Sequence, residues 1–265
     1  HLVGGKNASL GEMIAHMPDA VKVPDGFATT AHAFREFLAY DGLAERINAQ
    51  LDALNADDVN ALAQVGAQIR AWVEAQPFPP ALEAAIEQAF ATLSGGDAKA
   101  SFAVRSSATA EDLAGASFAG AHETYLNIDT PLELLDAVKK CISSLFLERA
   151  IVYRVEKGFD TLKVALSVGV MKMVRSDLAS AGIMFTLDTE TGFRNAVLIN
   201  SIFGAGEMIV KGHAVADQFY VFKPSLKSGK TAIISKTLGN KDIKYIFDKK
   251  VGLKEVKVLP KDRAR

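Results

Sequence analysis

The sequence predicts an α+β chain with a helical N-terminal part and a strand-rich C-terminal part. Apolar residues recur at helical spacing through the first hundred positions, and short apolar or alternating runs dominate past Gly158. Helices first and strands later depart from the alternation of a doubly wound parallel sheet. With 265 residues, 49% hydrophobic and 23% charged, the composition is that of a globular protein and excludes a disordered or fibrous one. Thirty Lys+Arg against thirty-one Asp+Glu leave a charge of −1, which gives no net positive field to gather a nucleic acid. The single Cys141 has no intramolecular disulfide partner, which fits a reducing, cytoplasmic setting. No apolar run of eighteen residues marks a membrane span, and no signal stretch is visible. The chain opens at His1-Leu2-Val3 without an initiator Met, which reads as a piece of a longer protein.

Leu10, Met13, Ile14 and Met17 keep the spacing of one buried helical stripe. Pro24-Asp25-Gly26 reads as a turn, after which Thr30 caps a helix burying Phe34, Phe37 and Leu38, closed by Asp41-Gly42. Leu43, Ile47, Leu51 and Leu54 extend the pattern, as do Leu62, Val65, Ile69 and Val73. Pro77, Pro79 and Pro80 interrupt it before a helix carrying Leu82, Ile86, Phe90 and Leu93, and Ser94–Asp97 is a turn. The period then changes: 101–105 and 122–128 read as strands, and Thr130-Pro131 supplies a cap and first-turn proline for a helix through Phe146. Strands are expected at 164–174, 182–187, 196–202, 218–223, 231–237 and 244–247, with a subdomain break near 157–162. The Lys-rich tail interleaves Asp242, Asp248, Glu255 and Asp262, the pattern of a solvated sheet face.

Familiar catalytic signatures are missing. Gly4-Gly5-Lys6 lacks the spacing and the Ser/Thr of a Walker loop, and Gly204-Ala205-Gly206 lacks the third glycine of a dinucleotide site. There is no HExxH, no paired CxxC and no G-x-S-x-G elbow, and no histidine has a close partner for a triad. Basic residues beside donor-rich loops remain. Lys6 stands where a helix N-terminus begins and adds a point charge to its unpaired N–H groups, with an ordinary loop lysine as the alternative. Arg105 ends a strand and is followed by Ser106, Ser107 and Thr109, a fork and three hydroxyls able to take phosphate oxygens. A salt bridge to Glu111 or Asp112 is the competing reading. Gly115, Ser117 and Gly120 form a link able to fold over a ligand, or a plain glycine hinge. Glu207 follows a tight turn as a metal or ribose contact, or as a carboxylate placed for a helix N-terminus. Met171 and Met173 line an adenine slot or fill the core, and Cys141 reads as buried filler.

Phe102–Ile128 (FAVRSSATAEDLAGASFAGAHETYLNI) closely resembles the nucleotide-binding region of the phosphoenolpyruvate synthases. So do Leu2–Met13, Val23–Leu38, Lys172–Phe193 and Gly204–Gly212, in the family's order. Pyruvate, phosphate dikinases and rifampin phosphotransferases share the GGK and VRSSA-like elements, while Val174–Gly192 looks more like the synthases. The resemblance implies an ATP-grasp-type fold, incomplete at the C-terminus, and makes residues 1–265 the N-terminal nucleotide-binding region of a larger enzyme. It implies a Mg2+-dependent pyrophosphoryl transfer from ATP to a histidine on another domain, serving ATP + pyruvate + water → AMP + phosphoenolpyruvate + phosphate. Partners then are ATP and the phosphohistidine and pyruvate-binding domains of the same chain, and a homodimer of the full-length enzyme stays open. By position, Lys6 and Arg105 match the phosphate-contacting pair, Arg105 being the catalytic choice. Gly120 and Thr124 match the loop closing over the phosphates, Met171 the adenine-facing strand and Glu207 the glutamate of a GLGE turn. Three positions depart from the pattern: Met171 and Ala121 replace glutamines, and Ala205 replaces leucine. Magnesium ligands are expected beyond Arg265. A rifampin phosphotransferase-like or dikinase-like ATP domain is the enzymatic alternative, and a non-catalytic nucleotide-sensing or scaffolding module is the alternative of another class.

Overall fold

A computed structural model of the chain describes residues 2–55, 58–97, 99–109, 124–156, 164–250 and 252–263, with backbone only at 153–156. It divides into two compact units, residues 1–173 and 174–265. The expected break near 157–162 lies outside the described residues. The near-neutral total hides a segregation of charge. The first unit holds 14 of the 30 Lys+Arg and 22 of the 31 Asp+Glu, so the second is basic.

In the first unit, helix α1 (Gly5–His16) leads into strand β1 (Gly26–Ala28) and helices α2 (Ala31–Ala39), α3 (Leu43–Asp52), α4 (Val59–Ala75) and α5 (Pro80–Ser94). Strands β2 (Phe102–Ala108) and β3 (Thr124–Ile128), helices α6 (Pro131–Ser143) and α7 (Glu148–Glu156), and strand β4 (Leu166–Lys172) follow. The capping residues act as the sequence predicts. Thr30 Oγ1 accepts from the Ala33 N–H and Thr130 Oγ1 from the Glu133 N–H, while Asp41 and Gly42 both take left-handed φ. The strands form one antiparallel sheet in the order β1-β4-β2-β3.

Strand alternation gives this sheet two unlike faces. Phe102, Val104 and Ala108 of β2 and Leu166, Val168 and Val170 of β4 are buried on one face. They join Phe34, Phe37, Ile69, Val73, Phe90 and the inner side of α6 in a single core. Phe90 meets Phe102 edge-on with ring centroids 4.8 Å apart. Cys141, on α6, is fully buried in that core, as expected of a filler. The opposite face carries Ala103, Arg105 and Ser107 beside Ser167, Gly169 and Met171.

Three expectations are corrected. The stripe of α1 is not buried: no residue of the helix is, and Ile14 is 58% exposed. The helix meets the sheet through its first turn, and farther along Leu10, Gly11 and Ile14 line an open cleft of about 180 Å³ facing Phe27 and Met171. Pro24-Asp25-Gly26 is not a turn: Gly26 opens β1, held to Met171 by pairing that a three-residue strand cannot announce in its sequence. The lysine tail is not uniformly solvated, as Lys241 below shows.

In the second unit, strands β5 (Ser180–Phe185), β6 (Ala196–Phe203), β7 (Asp217–Phe222) and β8 (Ile233–Thr237) form an antiparallel sheet in chain order. Short helices α8 (Glu207–Val210) and α9 (Lys223–Lys227) flank β7, and β9 (Ile243–Asp248) pairs with β10 (Gly252–Lys257) as a hairpin. Lys241 is 1% exposed and pairs with Asp217 at 2.5 Å, while Asp217 also accepts the Gly239 N–H. A charge removed from water this fully needs such a partner, and removing either member is the costly change. Among the described residues no helix is long and apolar enough to cross a membrane.

The start of the second unit is fixed electrostatically. The Arg175 guanidinium grips the buried Asp177 carboxylate through two 2.8 Å bonds, which lower the Asp177 pKa below its ordinary value. A carboxyl lowered on folding contributes stability that is present above its unfolded value and lost as pH falls through the folded one. The wild-type chain is therefore expected to lose urea stability as pH falls from about 4 downward, below the ordinary carboxylate value, and Asp177→Asn to show a smaller loss. Equal losses in the two proteins would remove this role from Asp177.

Candidate functional site

The polar face of the first sheet is set by register. Arg105 lies opposite Gly169 on β4 and opposite Thr124 on β3, Ala103 lies opposite Met171, and Ser107 lies opposite Ser167. Paired residues share a face, so Arg105, Thr124, Met171 and Ser107 all project to the same side.

Helix α1 docks on that side by its first turn. The Asn7 N–H donates to Ser107 Oγ (3.3 Å) and Asn7 Nδ2 to Ser167 Oγ (2.8 Å), and Ser167 Oγ donates on to the Thr29 carbonyl (2.5 Å). Two glycines leave the room for this approach. A Cβ on Gly4 would stand 2.1 Å from the Ser107 carbonyl oxygen, and one on Gly169 would stand 2.3 Å from Asn7 Oδ1. Lys6, beside Asn7 in the same turn and half-buried, is thus carried to the face that holds Arg105.

The electrostatics suit an anion. Gly4 caps α1 without a side chain, so the turn presents backbone donors and the positive end of the helix beside an ammonium. Arg105 is half-buried, and among the described residues no carboxylate pairs with its guanidinium. Glu111 and Asp112, the competing partners, lie outside the described residues. A cation pair on a face with exposed Thr124 and a helix N-terminus can hold a polyphosphate by charge and by directed N–H and O–H donors.

Four of the six sequence-predicted residues, Lys6, Arg105, Thr124 and Met171, therefore share one face. Gly120 lies outside the described residues. Glu207 belongs to the second unit, where it opens α8 and pairs with Lys211 at 2.7 Å. Met171 is half-buried and lines the cleft under α1, while Met173 Sδ accepts the Asn127 N–H. Sequence reasoning missed Asn7, Ser107 and Ser167 as the residues that seat Lys6; the Asn directly after Gly-Gly-Lys was their one visible trace. Among the described residues no three His, Cys, Asp or Glu side chains gather as metal ligands.

The docking of α1 makes a direct prediction. Gly4→Ala has no φ strain to suffer, since Gly4 already sits at φ −73°, but its methyl collides with backbone. Urea unfolding is expected to show a loss of about 1–3 kcal/mol; an unchanged midpoint would mean that α1 is not held at this point.

The family model described as the pyruvate phosphate dikinase AMP/ATP-binding domain matches residues 1–265. The chain is 55% identical over 264 residues to a phosphoenolpyruvate synthase of Pseudomonas aeruginosa, covering 99% of this chain and 33% of that protein. It is 54% identical over 246 residues to the phosphoenolpyruvate synthase of Escherichia coli, covering 92% and 31%. A probable phosphoenolpyruvate synthase of Staphylothermus marinus is 40% identical over 255 residues, covering 95% and 29%. The chain thus spans about a third of the length of these relatives. With a docked helix N-terminus, Lys6 and Arg105 on one face and a match along its whole length, the chain belongs to the pyruvate phosphate dikinase AMP/ATP-binding domain family.

Proposed function

We propose that this chain is the ATP-binding part of a phosphoenolpyruvate synthase, with an ATP-grasp-type fold. In this reading a histidine on another domain of the full-length chain attacks the β-phosphorus of ATP. The bond from that phosphorus to the α,β-bridging oxygen breaks, AMP leaves, and the pyrophosphoryl group stays on the histidine. Water removes the terminal phosphate, and the remaining phosphohistidine phosphorylates pyruvate. Identity of 52–55% to synthases from several bacteria supports the assignment of the acceptor.

The observation that carries the reading is the seating of the Lys6 turn on the face that holds Arg105. Phosphoryl-type transfer asks a protein mainly to position the phosphates and to neutralise the charge that develops in flight. Arg105, on a rigid central strand, supplies a planar fork whose position the ladder fixes on both sides. Lys6 supplies a point charge and α1 its end-on donors. Gly120 and Thr124 match the family's loop that closes over the phosphates, Met171 offers the base an apolar side chain and its backbone, and Glu207, the glutamate of the GLGE-like turn, is read as a nucleotide contact. When bound, magnesium would neutralise phosphate charge, and its ligands are expected beyond Arg265.

Arg105→Ala in the full-length protein is expected to lower the rate of AMP formation by about 10³-fold or more with an unchanged melting temperature. Near-normal AMP release from a folded Arg105→Ala protein would reject the assignment.

A further inference from the structure

The turn at Gly204–Gly206 and the short helix α8 link β6 to the β9–β10 hairpin. The Ala205 N–H donates to the Tyr245 carbonyl (2.9 Å), and Gly204 forms a parallel bridge to the same residue. No side chain fits there: Gly204 has φ +80°, and a Cβ on it would lie 2.4 Å from the Tyr245 carbonyl oxygen. Just past α8, the His213 N–H donates to the Met208 carbonyl (3.0 Å), and His213 Nδ1 hydrogen-bonds the Tyr245 hydroxyl at 3.0 Å. The two rings meet edge-on with centroids 6.3 Å apart. Tyr245 therefore holds this segment at both ends, by its backbone before Glu207 and by its hydroxyl, through His213, after it. A four-residue helix has little capacity to hold itself, so its direction is set by what grips its ends. Lys211, one turn on, fixes the Glu207 carboxylate within the segment.

We propose that Tyr245 is a positioning residue for Glu207, and that the Tyr245–His213 link sets where the Glu207 carboxylate stands toward bound nucleotide. The proposal rests on the reading of Glu207 as a nucleotide contact. Tyr245→Phe removes the hydroxyl while keeping the ring and the backbone bonds, so the turn stays anchored and only the far end is released.

The test is a double-mutant cycle in the full-length protein, reading the KM for ATP and the kcat of AMP formation together with the melting temperature. Glu207→Gln is expected to raise the KM about tenfold, and Tyr245→Phe about two- to tenfold with kcat and melting temperature unchanged. The double variant is expected to be no worse than Glu207→Gln alone, and His213→Ala to reproduce Tyr245→Phe without adding to it. An unchanged KM in Tyr245→Phe beside a defective Glu207→Gln overturns the positioning role and leaves Glu207 standing. Multiplying effects, or a kcat that falls with the melting temperature, overturn it as well. An unchanged KM in Glu207→Gln removes the nucleotide contact itself, and the positioning role with it.

Discussion

The approach of Gly4 to Ser107 is the contact on which the arrangement of Lys6 and Arg105 depends. With no Cβ at Gly4 or Gly169, the first turn of α1 settles onto the backbone of β2 and β4. There Asn7 donates to Ser107 Oγ through its backbone N–H and to Ser167 Oγ through its side-chain amide. This is a polar dock: no residue of α1 is buried, and specificity comes from directed donors and close backbone contact. A hydrophobic dock would have drawn Lys6 toward the core or pushed it away from the sheet. Here Lys6 stays half-buried in the first turn of its helix.

Much of the first unit was legible because its signals are local. Thr30, Thr130-Pro131 and Asp41-Gly42 mark helix boundaries through bonds and φ values made within a few residues. The apolar stripes of α2, α4 and α6 met a core as their spacing predicts. The stripe of α1 did not, because spacing shows that a helix has an apolar side and says nothing of whether anything packs there. Strand β1 escaped notice because three residues carry no period, and β10 because its apolar residues are sparse. In the site, Arg105 stood out through the hydroxyls that follow it. Asn7 and Tyr245 act across 100 or 40 positions, on Ser107 and Ala205, and only the folded chain brings those partners together.

The second unit is held in a different way. Its buried apolar residues are fewer, and single polar contacts fix its connections: Lys241 with Asp217, Arg175 with Asp177, Tyr245 with the turn before Glu207. Ion pairs of this kind specify geometry more than they add net stability, since desolvation offsets most of the attraction. Their cations also come from the richer side of the charge division, so a lysine-dense sequence that reads as solvent-facing hides one ammonium with a structural task.

Strand β2 writes packing and chemistry on alternate letters of the same seven residues, Val104 facing the core and Arg105 the opposite face, on which the first turn of α1 docks. Its unbroken ladder to β4 fixes which letter faces which way, while the extra residue of the irregularity against β3 lies on β3. Insertion or deletion of one residue in this segment would therefore exchange the two roles at once, sending a guanidinium into hydrocarbon and a valine to the anion. Substitutions can tune either side of β2 separately, but changes of length cannot, and indels should be scarcer along it than in the surrounding connections.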